Sequence, residues 1–454
     1  MDNQLMDKLV SLCKRRGYVF PGSEIYGGLA NTWDFGPLGV ELKNNIKKFW
    51  WQTMVWQRDD VVGLDSSIIM NPKVWEASGH VSNFSDPLID CKNCKSRFRA
   101  DELMAGKYGD ISMKDGKTSC PLCGGELTES RKFNMMFKTF VGPMEDSSSL
   151  IYLRPETAQG IFNNFKQVLN VSRKKIPFGI AQIGKAFRNE ITPGNFIFRT
   201  LEFEQMEMEF FVKPDSDRRW YNYWVSERFD WYLKLGLKKE NIRKRPHEKN
   251  ELAHYAKACT DIEYSFPFAS LGEDGRPWGE LEGIANRTDY DLSNHMEHSG
   301  KDLNYFDEIN KASFLPYVIE PSAGMDRMTL AVLIDAYHEE KDENGEIRIV
   351  LKINPKIAPI KVAILPLVKN KENIVKLSQK LYQNLRSEFM VDYDEIGSIG
   401  RRYRRQDEAG TPYCLTVDFD SLEDKAVTLR DRDTMKQERI NISEINDWLR
   451  DKLK

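Results

Sequence analysis

The spacing of apolar and polar residues changes period several times along the chain, and each change marks an element. A helical stretch runs from Val40 through Asn44, Lys47 and Lys48 to Trp50, Trp51 and Met54. Residues 151–211 are strand-like, with one helix beginning near Pro155, a residue suited to the first helical position. Within 180–211, period two places Gln182, Gly184, Arg188 and Glu190 on one face of a strand. The return strand places Arg199, Leu201, Phe203, Gln205, Glu207 and Glu209 on one face. Thr192-Pro193-Gly194-Asn195 supplies turn residues, and a loop of those residues alone sets Arg188 roughly opposite Arg199. Residues 212–255 are charged and aromatic at helical spacing and read as a helical insertion.

Pro355 and Pro359 interrupt any regular element, so 1–354 and 355–454 read as separate domains. The second reads as a strand over 360–367, a helix over 371–389, a strand over 391–394 and a helix opening near Gly397. Strands over 413–419, 427–429 and 439–442 follow, then a last helix capped by Ser443. That alternation predicts a small α/β domain with a mixed sheet.

With 454 residues the chain has room for about three domains. Lys+Arg 66 against Asp+Glu 69, a net charge of −3, rules out a polybasic coat, so nucleic-acid contact has to come from local clusters. Met1-Asp2-Asn3-Gln4 lacks the pattern of a signal peptide, and no window is apolar enough for a membrane span; a cytoplasmic protein is expected. Seven cysteines include two close pairs, Cys91 with Cys94 and Cys120 with Cys123, in a polar stretch over 84–130. Two C-x2-C knuckles offer four thiolates to a tetrahedral ion, so structural Zn2+ is expected in this insertion, although the spacer exceeds the usual ~15–20 residues.

Two opposed arginines repel one another unless an anion or a carboxylate compensates. Glu190 supplies that in a structural ion network; the sharper reading is a polyphosphate over an open sheet face, with Phe203 stacking on a base. A strand over 317–323 ends at Gly324-Met325-Asp326-Arg327 and opens a mostly apolar helix, which puts a fixed cation at a helix N-terminus and makes an anion site. By itself this also describes an ordinary strand-to-helix turn. Leu153-Arg154-Pro155-Glu156-Thr157 reads locally as helix capping.

Together these segments resemble the signature motifs of class II aminoacyl-tRNA synthetases. Phe187-Arg188-Asn189-Glu190 and its return strand resemble motif 2, and Gly324-Met325-Asp326-Arg327 resembles motif 3. The helix around 40–54, with a later strand at Ile68-Ile69-Met70-Asn71-Pro72, resembles motif 1. Trp33-Asp34-Phe35-Gly36-Pro37-Leu38-Gly39, the segment 153–160, Gly279-Glu280-Leu281-Glu282-Gly283-Ile284-Ala285 and Glu320-Pro321-Ser322 narrow the resemblance to glycyl-tRNA synthetases of the homodimeric type. It covers nearly the whole chain and implies a class II catalytic domain, an antiparallel sheet flanked by helices, over 1–354 and an α/β anticodon-binding domain over 355–454.

The resemblance also implies roles. Arg188 would hold the ATP α-phosphate and the amino-acid carboxylate, Glu190 would contact the adenine amino group, and Phe203 would stack on the ring. Asn189 and the return segment Phe198, Arg199, Thr200, Leu201 and Glu202 would complete the nucleotide site. Glu280 and Leu281 would line it, Glu280 through Mg2+; Arg327 would hold the far end of the triphosphate, with Gly324, Met325 and Asp326 as the approach. Glycine would meet Glu156, Glu207, Glu320 and Ser322 at its ammonium, with Glu204, Gln205 and Met206 on one strand and Pro321 and Ala323 on another beside it. Arg99 matches an arginine assigned to substrate binding. The implied partners are glycine, ATP, tRNA(Gly) and a second copy of the chain. His80, His295 and His298 read as structural or surface groups, since activation needs no protein nucleophile.

Arg401-Arg402-Tyr403-Arg404-Arg405 is the densest basic run, suited to phosphate contact and base stacking at a tRNA anticodon. A solvated helix face paired with Asp407 and Glu408 is the alternative, and Arg243-Lys244-Arg245 reads as an exposed helix end. Two other functions stay open from sequence alone: a class II synthetase for another small amino acid, and a non-catalytic tRNA-binding protein on the same fold.

Overall fold

The computed structural model describes residues 3–453 apart from 105, 107, 109–112, 115–116, 191–193, 254 and 342–344. Its centre is an eight-stranded sheet built from β1 (Val61–Gly63), β2 (Phe178–Phe187), β3 (Glu202–Val212), β4 (Ile242–Pro246), β5 (Ala258–Tyr264), β6 (Pro277–Thr288) and β7 (Tyr317–Gly324), with Ser270–Leu271 pairing on β6. The order is β4-β5-β6-β7-β3-β2-β1. All these pairs are antiparallel except β1 with β2.

Alternation along β3 explains the layers. Met206, Met208 and Phe210 face a core shared with Ile262, Ile284 and Ile319. Helices α1 (Asn3–Arg16) and α2 (Pro37–Trp51) contribute Leu9, Leu12, Leu42, Ile46 and Trp50 to that core. On the other face, α3 (Ala158–Ser172) packs Ile161, Phe162 and Phe165 against Phe178, Ile180 and Phe211. Full burial of such side chains stabilises by about 1.5–3 kcal/mol each. α3 covers only part of this face, and the uncovered part is the floor of a cavity.

Between β3 and β4, α4 (Asp217–Leu235) buries Trp224, Trp231 and Tyr232 in the main core. The stretch read as a helical insertion is thus a core helix followed by an edge strand. Arg243 and Arg245 lie in β4 and pair with Glu263, so this run is not a helix end. α5 (Tyr290–Ser299) lies beside α3, and α6 (Met325–Ala336) follows β7 directly with Met325 to Ala336 buried except Arg327.

Local expectations shift for physical reasons. Residues 68–72 form no strand beyond an isolated Ile69–Leu153 bridge; the strand after α2 is β1. α3 starts at Ala158 rather than Pro155, because the Thr157 hydroxyl donates to Glu207 instead of capping a helix turn. Phe187 pairs with Glu202, so Arg188 lies opposite Leu201, to which its N–H donates, and not opposite Arg199. A short 3-10 turn at Phe196–Phe198 lengthens the connection; Thr192 and Pro193 lie outside the described residues.

The cysteine stretch folds around a small sheet of Ser85–Asp90, Arg97–Arg99 and Arg131–Asn134. Phe98 and Leu103 pack with Cys91 and Cys120 at its centre.

The C-terminal sheet contains β8 (Val362–Pro366), β9 (Val391–Tyr393), β10 (Tyr413–Val417), β11 (Ala426–Asp431) and β12 (Gln437–Asn441) in the order β9-β8-β10-β11-β12. It is mixed: β9, β8 and β10 are parallel, and the rest are antiparallel. Helices α7 (Glu372–Leu385), α8 (Ile399–Glu408) and α9 (Ile445–Lys452) accompany it. The N-cap of α9 is Glu444; the Ser443 hydroxyl donates to Asn441 and caps nothing.

One buried carboxylate joins this unit to the rest. Asp407 of α8 accepts from Arg430 of β11 and from Arg348, which lies in Ile347–Leu351 of the first unit. Arg432 adds bonds to the carbonyls of Ile353 and Gly410, and the Tyr18 hydroxyl donates to that of Ala409.

Candidate active site

Three neighbouring strands build the floor of a cavity of about 340 Å³. Alternate residues face it: Phe203, Gln205 and Glu207 from β3, Glu320, Ser322 and Gly324 from β7, and Gly283, Ala285 and Arg287 from β6. The register sets Glu207 beside Ser322, Ser322 beside Gly283, and Gly283 beside Asp261 of β5, a single row across the sheet. Gly283 and Ala285 keep the middle of the floor low.

At one end the carboxylates gather. Ser322 donates to Glu207 at 2.6 Å and Arg287 to Glu320 at 2.8 Å. Arg287 also grips both oxygens of Asp291, at 2.7 and 2.8 Å, and its guanidinium stacks 4.1 Å from the Tyr255 ring centre. Glu156 accepts from Gln159 at 2.9 Å and lies 3.5 Å from the His80 imidazole. Burial opposes ionisation at Glu156, but the charges of His80 and Arg287 hold its carboxyl well below the usual range. Glu320 goes the other way: burial pushes it up to about 8, against Arg287 and with help from Glu207 and Glu156. Glu207 is raised by burial and by Glu156.

At the other end lie the cations. Arg188 donates to the Pro155 carbonyl at 3.0 Å and sits 5.3 Å from the Phe203 ring centre. Arg327, in the first turn of α6, donates to the Glu280 carboxylate at 2.9 Å and covers the Phe198 ring at 4.5 Å. Glu280 reaches the cavity through a β-bulge. The register with β5 shifts between Glu282 and Glu280, so Glu280 lines the cavity while Glu282 pairs with buried Arg228. A polar wall of His247, Cys259 and Asp261 closes this end, with His247 and Asp261 2.7 Å apart.

Of the residues expected here, Glu156, Arg188, Glu190, Phe198, Arg199, Thr200, Phe203, Gln205, Glu207, Glu280, Leu281, Glu320, Ser322, Gly324, Asp326 and Arg327 line one cavity. The others are placed elsewhere. Glu204 points to the opposite face of β3 and pairs with Lys43 and Lys47, and Met206, beside it in the alternation, is core. Met325 and Ala323 are core, and Pro321 is buried outside the lining. Glu202 pairs with Lys185 on the surface, Asn189 donates its N–H to the Met135 carbonyl, and Leu201 does so to that of Asn31. Asp326 lines the cavity with its charge already bound to Lys43 at 2.6 Å.

Arg99 lies outside the lining. It pairs with Asp86 and Asp101, and burial raises the Asp86 carboxyl, with Arg99 opposing and Glu190 adding to the rise. The cysteine module therefore abuts the loop that carries Glu190. The four thiols of Cys91, Cys94, Cys120 and Cys123 lie within 4.8 Å of one another, with Cys91 3.5 Å from Cys123 and Cys94 3.7 Å from Cys120. None is disulfide-bonded. Such a thiol set fits a tetrahedral ion.

The basic run on α8 is partly engaged within its own domain. Arg402 is buried and donates to the carbonyls of Pro366, Leu367 and Asp394. Arg405 pairs with Asp394, and Tyr403 bonds Thr416 while its ring carries Arg430. Tyr403 is therefore no stacking platform, and Arg401 is the exposed member of the run.

Among the histidines, His295 is buried against Gln159 and His298 is exposed, but His80 approaches Glu156. The sequence alone did not point to Arg287, Asp291, His247, Cys259 or Asp261; Arg287 shares a strand with Glu280 and Asp291 lies in the turn after it, whereas the strand of Cys259 and Asp261 holds no residue of the motifs.

A family model described as tRNA synthetase class II core domain (G, H, P, S and T) matches residues 140–337, and an anticodon binding domain model matches 361–452. The prolyl-tRNA synthetase of Cryptosporidium parvum superimposes with a TM-score of 0.65 at 15% identity, over 99% of this chain and 78% of that one. The fold is that of a class II aminoacyl-tRNA synthetase. Over 99% of its length the chain is 59% identical to a glycine–tRNA ligase of Caldanaerobacter subterraneus, covering 98% of that protein. A glycine–tRNA ligase of Clostridium acetobutylicum is 58% identical over the full length of both chains. The chain belongs to the glycine–tRNA ligase family.

Proposed function

We propose that this cavity joins glycine to ATP and that the chain then passes the glycyl group to the 3′ end of tRNA(Gly). The observation that carries this reading is the split of the cavity into a carboxylate end and an arginine end on one sheet floor. Glu207, Glu320 and Glu156 suit an ammonium. Arg188 and Arg327, one at either side of Phe203 and Phe198, suit a bent triphosphate with its base on an aromatic ring.

A glycine carboxylate oxygen attacks the α-phosphorus in line, and the bond to the bridging oxygen breaks to release pyrophosphate. Arg188 holds both carboxylate and α-phosphate, so the reacting atoms meet without a search. Arg327 leaves Glu280 for the terminal phosphates, and the cations stabilise the charge that develops. Glu280 would hold Mg2+, which neutralises triphosphate charge when bound. In the second step a terminal ribose hydroxyl attacks the glycyl carbonyl and AMP leaves.

The remaining assignments rest on this reading. The core over 1–354 carries catalysis and 355–454 binds the anticodon, with exposed Arg401 as a phosphate contact. Structural Zn2+ sits on Cys91, Cys94, Cys120 and Cys123 and fixes the module that holds Arg99. The chain works as a cytoplasmic homodimer. Among the described residues, no helix is long and apolar enough to cross a membrane.

Amino-acid-dependent ATP–pyrophosphate exchange without tRNA tests the central claim. Exchange with glycine and not with alanine, serine or proline is expected. Exchange with another of these would reassign the pocket, and none with any would leave a tRNA-binding protein.

A further inference from the structure

Behind the ammonium end of the cavity lies a carboxyl group that the reaction does not use. Glu209 follows Glu207 by two residues on β3 and faces the same side of the sheet. It has no exposed surface, and neither carboxyl oxygen has a hydrogen-bond donor. One of its oxygens lies within 4.8 Å of one oxygen each of Glu207 and Glu320. The nearby charges are Glu207 on β3, Glu320 on β7, Arg287 on β6 and Asp291 on α5, while β2 presents Ile180 beside it. Glu156 and His80 stand one contact further out.

The charge balance of this corner is one-sided. Arg287 is already committed to Asp291 and Glu320, and Arg154, whose charge reaches Glu207, spends its donors on the Lys185 and Ser66 carbonyls. A glycine ammonium adds one positive charge beside Glu207 and Glu320. Even then a carboxylate at Glu209 would be a buried charge with no partner, whose desolvation no contact offsets. A neutral carboxylic acid avoids this and changes what the group can do, since its O–H is then a donor facing two acceptors. Burial and the neighbouring carboxylates push its affinity for a proton in the same direction.

We propose that Glu209 is a positioning residue that keeps its proton and donates a hydrogen bond to Glu207 or Glu320, setting the carboxylates that receive the glycine ammonium. This rests on the proposed glycine site. The proton is retained through the reaction, so no bond is made or broken at Glu209. A divalent cation between Glu207, Glu209 and Glu320 is the other way to settle the charge, but Arg287 already stands against Glu320.

Glu209→Ala deletes the donor and Glu209→Gln restores one of similar shape. The Ala variant should raise the glycine KM about tenfold or more in pyrophosphate exchange, with ATP KM little changed, and the Gln variant should recover most of that loss. Infrared spectra of the wild type at about pH 9, above the range in which Glu320 loses its proton, should show a protonated carboxyl stretch that disappears in Glu209→Gln. A Gln variant as impaired as Ala, or a wild type without that band, overturns the proposal, and the spectrum decides even if neither variant folds. Tight binding of Mg2+ or Mn2+ that Glu209→Gln abolishes also overturns it in favour of a metal site. Should the wild type show no glycine-dependent exchange at all, the glycine reading fails instead; the infrared band is then still a test of the proton.

Discussion

Glu320 shows how a single residue sets a pH dependence. Its carboxyl, pushed up to about 8, holds a proton through neutral pH in the empty site. A protonated carboxyl cannot pair with an ammonium, so glycine competes with that proton. The glycine KM should therefore fall as pH rises from about 6 to about 8, approaching tenfold per unit for one linked proton, and flatten above. The stability of the empty enzyme moves the opposite way. A raised carboxyl favours the folded state below the usual carboxylate range, and this contribution is lost as pH rises through about 8. Melting curves without glycine should shift downward across that interval, and saturating glycine should reduce the shift. A glycine KM that is flat from pH 6 to 8 would remove Glu320 from the ammonium site.

At the level of elements, the sheet was legible where alternation alone decides. Period two placed Phe203, Gln205, Glu207 and Glu209 on one face of β3, and that face is the cavity floor. The same rule takes Glu204 and Met206 out of the site, because consecutive strand residues cannot all face one ligand. What the chain does not display is longer-range. The partner of Arg188 depends on the length of a loop containing a 3-10 turn, and Glu280 owes its direction to a bulge that shows only in the pairing of β5 with β6. Arg287 carries no signal of its own along the chain, and its place depends on α5 bringing Asp291 to it. On α8, a dense basic run looked exposed, yet helical geometry turns Arg402 inward.

Close approach between elements gives a second test. A Cβ at Gly39 of α2 would stand 1.9 Å from the Tyr18 carbonyl oxygen, a backbone atom that cannot swing aside. Gly39→Ala should destabilise by about 1–3 kcal/mol despite its better helix propensity, measured by denaturant melts. An unchanged midpoint would mean that the two segments do not meet. The cysteine module is likewise a separable element: one equivalent of zinc per chain is expected, lost in Cys94→Ser. Because Arg99 and Asp86 abut the Glu190 loop, that variant should raise substrate KM more than it lowers the melting temperature of the core. Full activity from zinc-free protein would confine the metal to the module.

For the whole molecule, the critical contact is Asp407 between Arg348 and Arg430. Removing its charge takes the carboxylate from the buried Arg430 guanidinium, while Arg348 keeps Glu340, and loss of one partner from such a set costs about 3–5 kcal/mol. Asp407→Asn should lower stability by that order while sparing glycine-dependent pyrophosphate exchange, which needs only the cavity. Aminoacylation of tRNA should fall further than exchange does; equal losses would mean that the junction does no more than hold up the fold.

Asp407 also has a consequence for how a long substrate is selected. A joint pinned by buried charge keeps the exposed end of α8 at a set separation from the cavity mouth. Once a tRNA is held at its anticodon, its other terminus is delivered as though at a local concentration of about millimolar, provided its span matches that separation. Truncated or misfolded RNAs lose this delivery even when every base touched by the protein is correct. The molecule is in this sense a gauge, and the stiffness of the joint sets its tolerance.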